Sequence, residues 1–139
     1  MPRKDIHHDT VKRALVKDGW TITHDQFTLS LGKTDVFADL GAEQLLGADK
    51  GLRQIIAEVK SFIGRSKMKD LEQAIGQYIL YFRIARKIKL NHLLYLAITE
   101  KAYETIFQIE IGQLFLEDNL VRLIVFDAES EVITQWIPD

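Results

Sequence analysis

Ile55-Ile56-Ala57-Glu58-Val59-Lys60 is a run of apolar strand formers that carries a carboxylate and an ammonium two residues apart. Strand side chains alternate faces, so Glu58 and Lys60 emerge together on one face while Val59 points to the other. Two charges in an apolar strand are costly unless they are paired, ligating or catalytic. The run predicts a strand over Gln54 to Phe62 with chemistry on one face. A second strand is predicted from Lys33 to Gly41, where Val36-Phe37-Ala38-Asp39-Leu40 carries an acidic residue, Asp39. Between the two, Leu46-Gly47-Ala48-Asp49-Lys50-Gly51 has the glycines and Asp of a tight reversal. Residue numbers opposed across a hairpin sum to a constant, and a turn centred near 48 or 49 sets Asp39 opposite Glu58. Asp35 begins the same strand on the same face and is the rival first carboxylate. Asp39 is preferred because Asp35 lies nearer the glycine turn at Gly32 and farther from Glu58 in this register. Glu43 shares the parity of Asp39 and joins the acidic cluster if the strand continues past Gly41; a solvated hairpin charge is the alternative.

Outward from this pair the periodicity changes several times. Asp5 to Asp18 places Ile6, Val11, Ala14 and Leu15 near one helical face and ends at Gly19, a helix C-cap signal. Trp20-Thr21-Ile22-Thr23-His24 reads as extended. From Ser66 to about Lys89 the pattern is helical, with Met68, Leu71, Ile75, Ile79, Phe82 and Ile84 supplying apolar surface. Gln73, Gln77 and Tyr81 stand at i, i+4 and i+8 and line one face, either as part of a site or as a polar helix face. His92 to Ile98 reads as a buried strand after that helix, hence a βαβ-like crossover. Lys101 to Phe107 suggests a short helix. Val121 to Phe126 and Glu131 to Ile137 suggest two closing strands joined by Asp127-Ala128-Glu129-Ser130. The expected fold is α/β (α+β): a mixed sheet with flanking helices, residues 1–139 forming one domain.

The bulk composition narrows the function classes. The chain has 139 residues and 47% apolar content, enough for a sizeable core, so disorder is not the default. With 18 Lys plus Arg against 20 Asp plus Glu, net charge −2, no global basic field advertises nucleic acid, and DNA contact would need a local patch. The absence of cysteine excludes a disulfide scaffold, a thiolate zinc site and a Cys nucleophile. No apolar run reaches the roughly 18 residues of a membrane span. Met1-Pro2-Arg3-Lys4-Asp5 lacks the apolar core of a signal peptide, which sets the expectation of a soluble, cytoplasmic protein with no membrane partner.

Asp39, Glu58-Val59-Lys60 and Gln77 to Tyr81 together give D…ExK followed by QxxxY, an order that resembles the PD-(D/E)XK phosphodiesterases of the RecB-like branch. Ala38 stands where the PD motif has its proline. Read together, several longer stretches resemble the XisH family, known as fdxN-element excision controlling factors. These are Lys4-Asp5-Ile6-His7-His8, Lys17-Asp18-Gly19-Trp20-Thr21-Ile22-Thr23, Asp39-Leu40-Gly41-Ala42-Glu43, Glu58-Val59-Lys60-Ser61-Phe62 and Gly76-Gln77-Tyr78-Ile79-Leu80-Tyr81, together with Leu123-Ile124-Val125-Phe126-Asp127 and Trp136-Ile137. The resemblance covers nearly the whole chain. It implies a restriction-endonuclease-like fold and a cyanobacterial-type accessory protein of programmed DNA excision. The partners it implies are DNA, a small XisI-type protein, a site-specific recombinase or a second copy of this chain.

The chemistry such a constellation supports is metal-assisted phosphodiester hydrolysis. Mg²⁺, or Mn²⁺ in its place, takes one or two carboxylates and keeps several waters. Asp39 and Glu58 would supply the carboxylates, and the resemblance adds the Val59 carbonyl as a third ligand. Lys60 would hold or activate the attacking water and offset charge on the phosphorane. By resemblance, Gln77 and Tyr81 reach from the helix towards the metal site or the DNA backbone. His8 is a supplementary candidate, because some members of this nuclease class bring a first-helix histidine or acid to the metal. His7 is a weaker candidate, and Asp9 fits a helix-dipole role. His24 and His92 are isolated and are assigned no function. Lys50, Arg53, Arg65, Lys67 and Lys69 flank the site as a candidate DNA-facing patch. The expected function is a Mg²⁺-dependent endodeoxyribonuclease of element excision. The alternatives are a non-catalytic DNA- or recombinase-binding accessory factor and a toxin-like nuclease restrained by a small partner.

Overall fold

The computed structural model describes residues 4–48 and 51–139, so Lys50 and the middle of the proposed reversal lie outside the described residues. The chain runs through helix α1 (His8–Lys17), strands β1 (Thr21–His24), β2 (Phe27–Leu31), β3 (Thr34–Ala38), β4 (Leu40–Leu45) and β5 (Leu52–Val59), then helix α2 (Lys67–Lys87). Strand β6 (Leu93–Thr99), short helical turns between Glu100 and Asn119, and strands β7 (Leu123–Asp127) and β8 (Val132–Ile137) complete it. Six strands form one mixed sheet in the order β1-β4-β5-β6-β7-β8, while β2 and β3 pair only with each other. Strands β5, β6 and β7 are parallel, and α2 makes the crossover from β5 to β6 as the expected βαβ unit.

The parallel strands read as near-continuous apolar runs because both faces of the sheet are covered. Alternation sorts them cleanly. Ile56, Leu94, Leu96, Ile98, Leu123 and Val125 join Leu71, Ala74, Tyr78, Tyr81 and Ile84 of α2 in one core. Ile55, Ala57, Val59, Tyr95, Ala97, Ile124 and Phe126 pack with Val11 and Leu15 of α1 and with Trp20 in the other. Ser66 caps α2, its hydroxyl accepting the Lys69 N–H at 3.1 Å. The β4–β5 ladder pairs Leu40 with Ala57 and Leu45 with Leu52, so opposed numbers sum to 97, which centres the reversal between 48 and 49. Gly47 (φ 107°) and Gly51 (φ 82°) supply the backbone conformations that side chains disfavour at such a turn.

Two expectations are corrected. The strand expected from Lys33 to Gly41 is broken at Asp39: β3 pairs with β2, whereas β4 moves into the main sheet between β1 and β5. The Asp39 N–H donates to the Glu58 carboxylate instead of to a neighbouring strand, so both ladders stop there. The corner also needs a residue without a side chain next door, since a Cβ on Gly41 would lie 2.6 Å from the Phe27 ring and 3.1 Å from His24 Nδ1. The helix expected at Lys101 to Phe107 is one α-turn, Glu100–Ala102, continued as a π-turn over Tyr103–Phe107.

Candidate active site

The corner at Asp39 sets its carboxylate against the end of β5. The Asp39 N–H donates to Glu58 Oε1 at 3.1 Å, and the Val59 N–H donates to Asp39 Oδ2 at 2.7 Å. These reciprocal bonds lock the two carboxyl groups side by side at the point predicted by the hairpin register. Glu58 is only 8% exposed. Burial first, then the charge of Asp39, pushes its carboxyl up to about 9; Asp39 is also raised, chiefly by burial. Two carboxyls set side by side and largely withdrawn from water resist ionising together, which favours a proton held on Glu58 at neutral pH.

Lys60 follows β5, its N–H continuing the ladder to the Ala97 carbonyl at 3.1 Å. Its ammonium lies in the same cleft but is turned towards α2, donating to Gln73 Oε1 at 2.8 Å with Asp70 Oδ1 at 4.0 Å. Just beyond it, buried Phe62 adopts φ 56°, a left-handed bend that diverts the chain from the sheet towards α2. Gln77 and Tyr81 line the cleft from α2. The Tyr81 hydroxyl donates to the Phe37 carbonyl at 3.1 Å, so α2 grips the backbone just before Asp39. Burial, and then Glu58 and Asp39, push the Tyr81 phenol up, which keeps it a hydrogen-bond donor.

The first turn of α1 closes the opposite wall. His8 is 3% exposed; its Nε2 is 2.7 Å from Asp25 Oδ1, and its buried Nδ1 has no hydrogen-bond partner among the described residues and lies 3.8 Å from Asp39 Oδ1. Asp5 ties this turn to the sheet by accepting the His7 and Ser61 N–H groups, each at 2.9 Å. The resulting cleft, about 280 Å³, gathers Asp39, Glu58, Val59, Lys60, Gln77, Tyr81 and His8, together with Gln73, Asp5 and Asp25. Val59 joins the lining although its side chain is buried in the core on the α1 side.

Other candidates fall outside. Asp35 is exposed in the β2–β3 hairpin and accepts from Ser30 Oγ at 2.6 Å, which leaves Asp39 as the first carboxylate of this cleft. Glu43 does extend β4, yet four residues of strand carry it about 13 Å from Asp39, and it pairs with Thr21 and Gln54 away from the cleft. His7 packs its ring edge on Phe126, 5.7 Å between centroids, and faces a second cleft of about 380 Å³ beyond the ends of β6 and β7. That cleft is larger, but its Asp127 is already occupied by Ser130 Oγ and the Glu129 N–H. Lys67 donates to the Phe62 carbonyl, and none of Arg53, Arg65, Lys67 and Lys69 lines the cleft of the carboxylate pair. The cleft also takes in Asp5 and Asp25, for which the sequence carries no local signal: Asp25 reaches His8 across seventeen positions.

Among the described residues no three His, Asp or Glu side chains form a preformed ligand cage. The donor set nevertheless suits a hard divalent cation, which needs few protein ligands. A buried and a half-buried carboxyl that repel each other call for positive charge, and a buried imidazole nitrogen beside them is unsatisfied among the described residues. Two ligands each about 2.1 Å from a shared ion stand at most about 4.2 Å apart. The 3.8 Å between His8 Nδ1 and Asp39 Oδ1 meets that limit.

The same fold occurs in solved structures. A fdxN element excision controlling factor protein from Anabaena variabilis is 38% identical, with a TM-score of 0.85, over 96% of this chain and 99% of that one. An XisH family protein from Nostoc punctiforme PCC 73102 is 36% identical, with a TM-score of 0.83, over 95% and 98%. No curated protein matches the chain. The XisH protein family matches residues 1–134, and with these two structures it establishes that the chain belongs to the XisH family.

Proposed function

We propose that this chain is a divalent-metal-dependent endodeoxyribonuclease that acts in the control of programmed DNA excision. The excision role rests on the likeness to the Anabaena variabilis excision controlling factor. The nuclease activity rests on one observation: buried Glu58 and half-buried Asp39, held side by side by reciprocal backbone hydrogen bonds, with no Lys or Arg paired to them among the described residues and Lys60 in the same cleft. Asp39 and Glu58 would hold Mg²⁺ or Mn²⁺, supported by the Val59 carbonyl and His8 Nδ1. Such an ion supplies Lewis-acid charge stabilisation and a water of lowered pKa. Lys60 swings from Gln73 to the reacting phosphate and offsets its developing charge. Gln77 orients the DNA backbone, and Tyr81 holds the Phe37 carbonyl so that Asp39 keeps its place.

A second reading keeps the fold without the chemistry: an accessory factor that binds DNA or a recombinase. The net charge of −2 and the engagement of Lys60 by Gln73 favour it. A small XisI-type partner would then add basic surface to a chain of slightly negative net charge. The deciding experiment titrates Mg²⁺ and Mn²⁺ against supercoiled and linear DNA, with purified protein alone and with its XisI-type partner. Metal-dependent nicking that Glu58→Gln abolishes supports the nuclease. No cleavage in any combination, with Glu58→Gln still supporting element excision in cells, leaves the accessory factor.

A further inference from the structure

We propose that Asp25 is the positioning residue of this site, fixing His8 as the Nε2–H tautomer so that the Nδ1 lone pair faces Asp39 as a nitrogen ligand for the divalent cation. The inference rests on the metal-site reading above and adds a residue that touches neither metal nor substrate.

The hydrogen-bond geometry carries it. Asp25 Oδ1 is 2.7 Å from His8 Nε2, and Lys12 Nζ donates to Asp25 Oδ2 at 2.7 Å. An ionised carboxylate only accepts, so the ring nitrogen facing it must carry the proton. The opposite neutral tautomer would set two lone pairs against each other at that distance. It would also aim an N–H at Asp39 Oδ1 across 3.8 Å, too far for a hydrogen bond. In the neutral ring Nδ1 is therefore the nitrogen without a proton, buried and, among the described residues, without a partner, in a residue 3% exposed. An orphaned nitrogen in so closed a place is a liability for folding alone, but suits a ligand whose orientation a carboxylate maintains. Lys12 completes the device by holding Asp25 from the next turn of α1, so that His8 and its orienting group are braced by one helix.

Two readouts test this without catalysis. In cation-free protein at pH 8, long-range ¹H–¹⁵N NMR should show His8 protonated at Nε2 and bare at Nδ1. A Nδ1–H or doubly protonated ring overturns the proposal. Calorimetric titration with Mn²⁺ should then show affinity falling about 10- to 100-fold in Asp25→Ala. In a His8→Ala background, Asp25→Ala should cost nothing further, because Asp25 acts through the imidazole. An undiminished penalty there, or full affinity in Asp25→Ala, also overturns it. If the wild-type chain binds no divalent cation at all, the metal site fails and the ligand role of His8 falls with it. The NMR readout then reports whether Asp25 still sets the ring.

Discussion

Carboxylates at two corners of the fold titrate in opposite directions. Around the β7–β8 turn, Asp127 accepts from Ser130 Oγ and the Glu129 N–H, and Glu131 accepts from the Arg13 guanidinium, so both are held below the ordinary range. At the β3–β4 corner, burial raises Asp39 and Glu58, the latter to about 9. Glu131 is supplied with a cation and Asp127 with a hydroxyl and an N–H; Glu58 is buried and Asp39 half-buried, and each of these two accepts one backbone N–H. Lys60 lines the same cleft as Glu58, yet its ammonium rests on Gln73. A sequence selected only for stability would place that cation against the buried pair. The chain instead keeps a buried and a half-buried carboxyl side by side, and such perturbed pairs cluster at functional sites.

The largest test of this contrast is on activity. Glu58→Gln is nearly isosteric and should preserve the fold while abolishing detectable metal-dependent cleavage, since a site with so few carboxylates loses half its ligand charge. Lys60→Ala should leave Mn²⁺ affinity within a few fold of wild type and slow cleavage by about 100-fold or more. Equal cleavage by wild type and Glu58→Gln would sever the buried pair from any chemistry.

Next in size is the pH dependence of stability. Glu58 binds its proton more tightly folded than unfolded, so its contribution is complete below about pH 4.5 and is lost as pH rises towards 9. Asp39, also raised, adds in the same direction. With a chelator present, thermal unfolding should occur at higher temperature at pH 5 than at pH 8, and Glu58→Gln should flatten that slope. Added Mg²⁺ should stabilise wild type at pH 8 more than at pH 5, because the metal displaces a proton. A chelated wild type that gains stability from pH 5 to pH 8 would contradict the raised carboxyls.

The sequence was most legible where one pattern answered one question. The apolar run Ile55 to Val59 is buried on both faces, and the glycines flanking Ala48 centre the hairpin, so the Asp39–Glu58 register could be read in advance. The break at Asp39 could not. It depends on a side chain nineteen residues away taking up a backbone N–H, and period-two alternation is blind to such a partner. Strand β2, Phe27-Thr28-Leu29-Ser30-Leu31, alternates, with Phe27 and Leu29 buried. The sequence hides it because β3 and β4 read as one continuous strand, which leaves β2 no partner. Gln77 and Tyr81 share a helix face by spacing alone, but the Tyr81 bond to the Phe37 carbonyl spans 44 positions and exists only after the hairpin has packed on α2.

That bond supplies the third test. Tyr81→Phe removes the hydroxyl and leaves the Phe37 carbonyl without its donor, which should cost about 1 kcal/mol of unfolding free energy in urea. Because the lost bond holds the residue two before Asp39, Mn²⁺ affinity should fall as well. Stability lost with affinity unchanged would make Tyr81 a fold residue and nothing more.

The smallest effect belongs to the exposed cluster. Arg13 and Glu131 meet at 2.6 Å, but solvent screens the pair, and two long side chains must be ordered to keep it. Glu131 is held below its ordinary value by the Arg13 hydrogen bond, so the contribution is present above about pH 4.5 and is lost as pH falls through the lower folded value. Arg13→Ala should therefore shift the melting temperature less than any change above. The shift should shrink further in 0.5 M salt and disappear in acid. It should leave Mn²⁺ affinity untouched, since Arg13 is not part of the lining of the Asp39–Glu58 cleft. An Arg13→Ala loss equal to that of Tyr81→Phe, or one that grows as the pH drops, would mean that the exposed carboxylates are coupled to the fold as strongly as the buried pair.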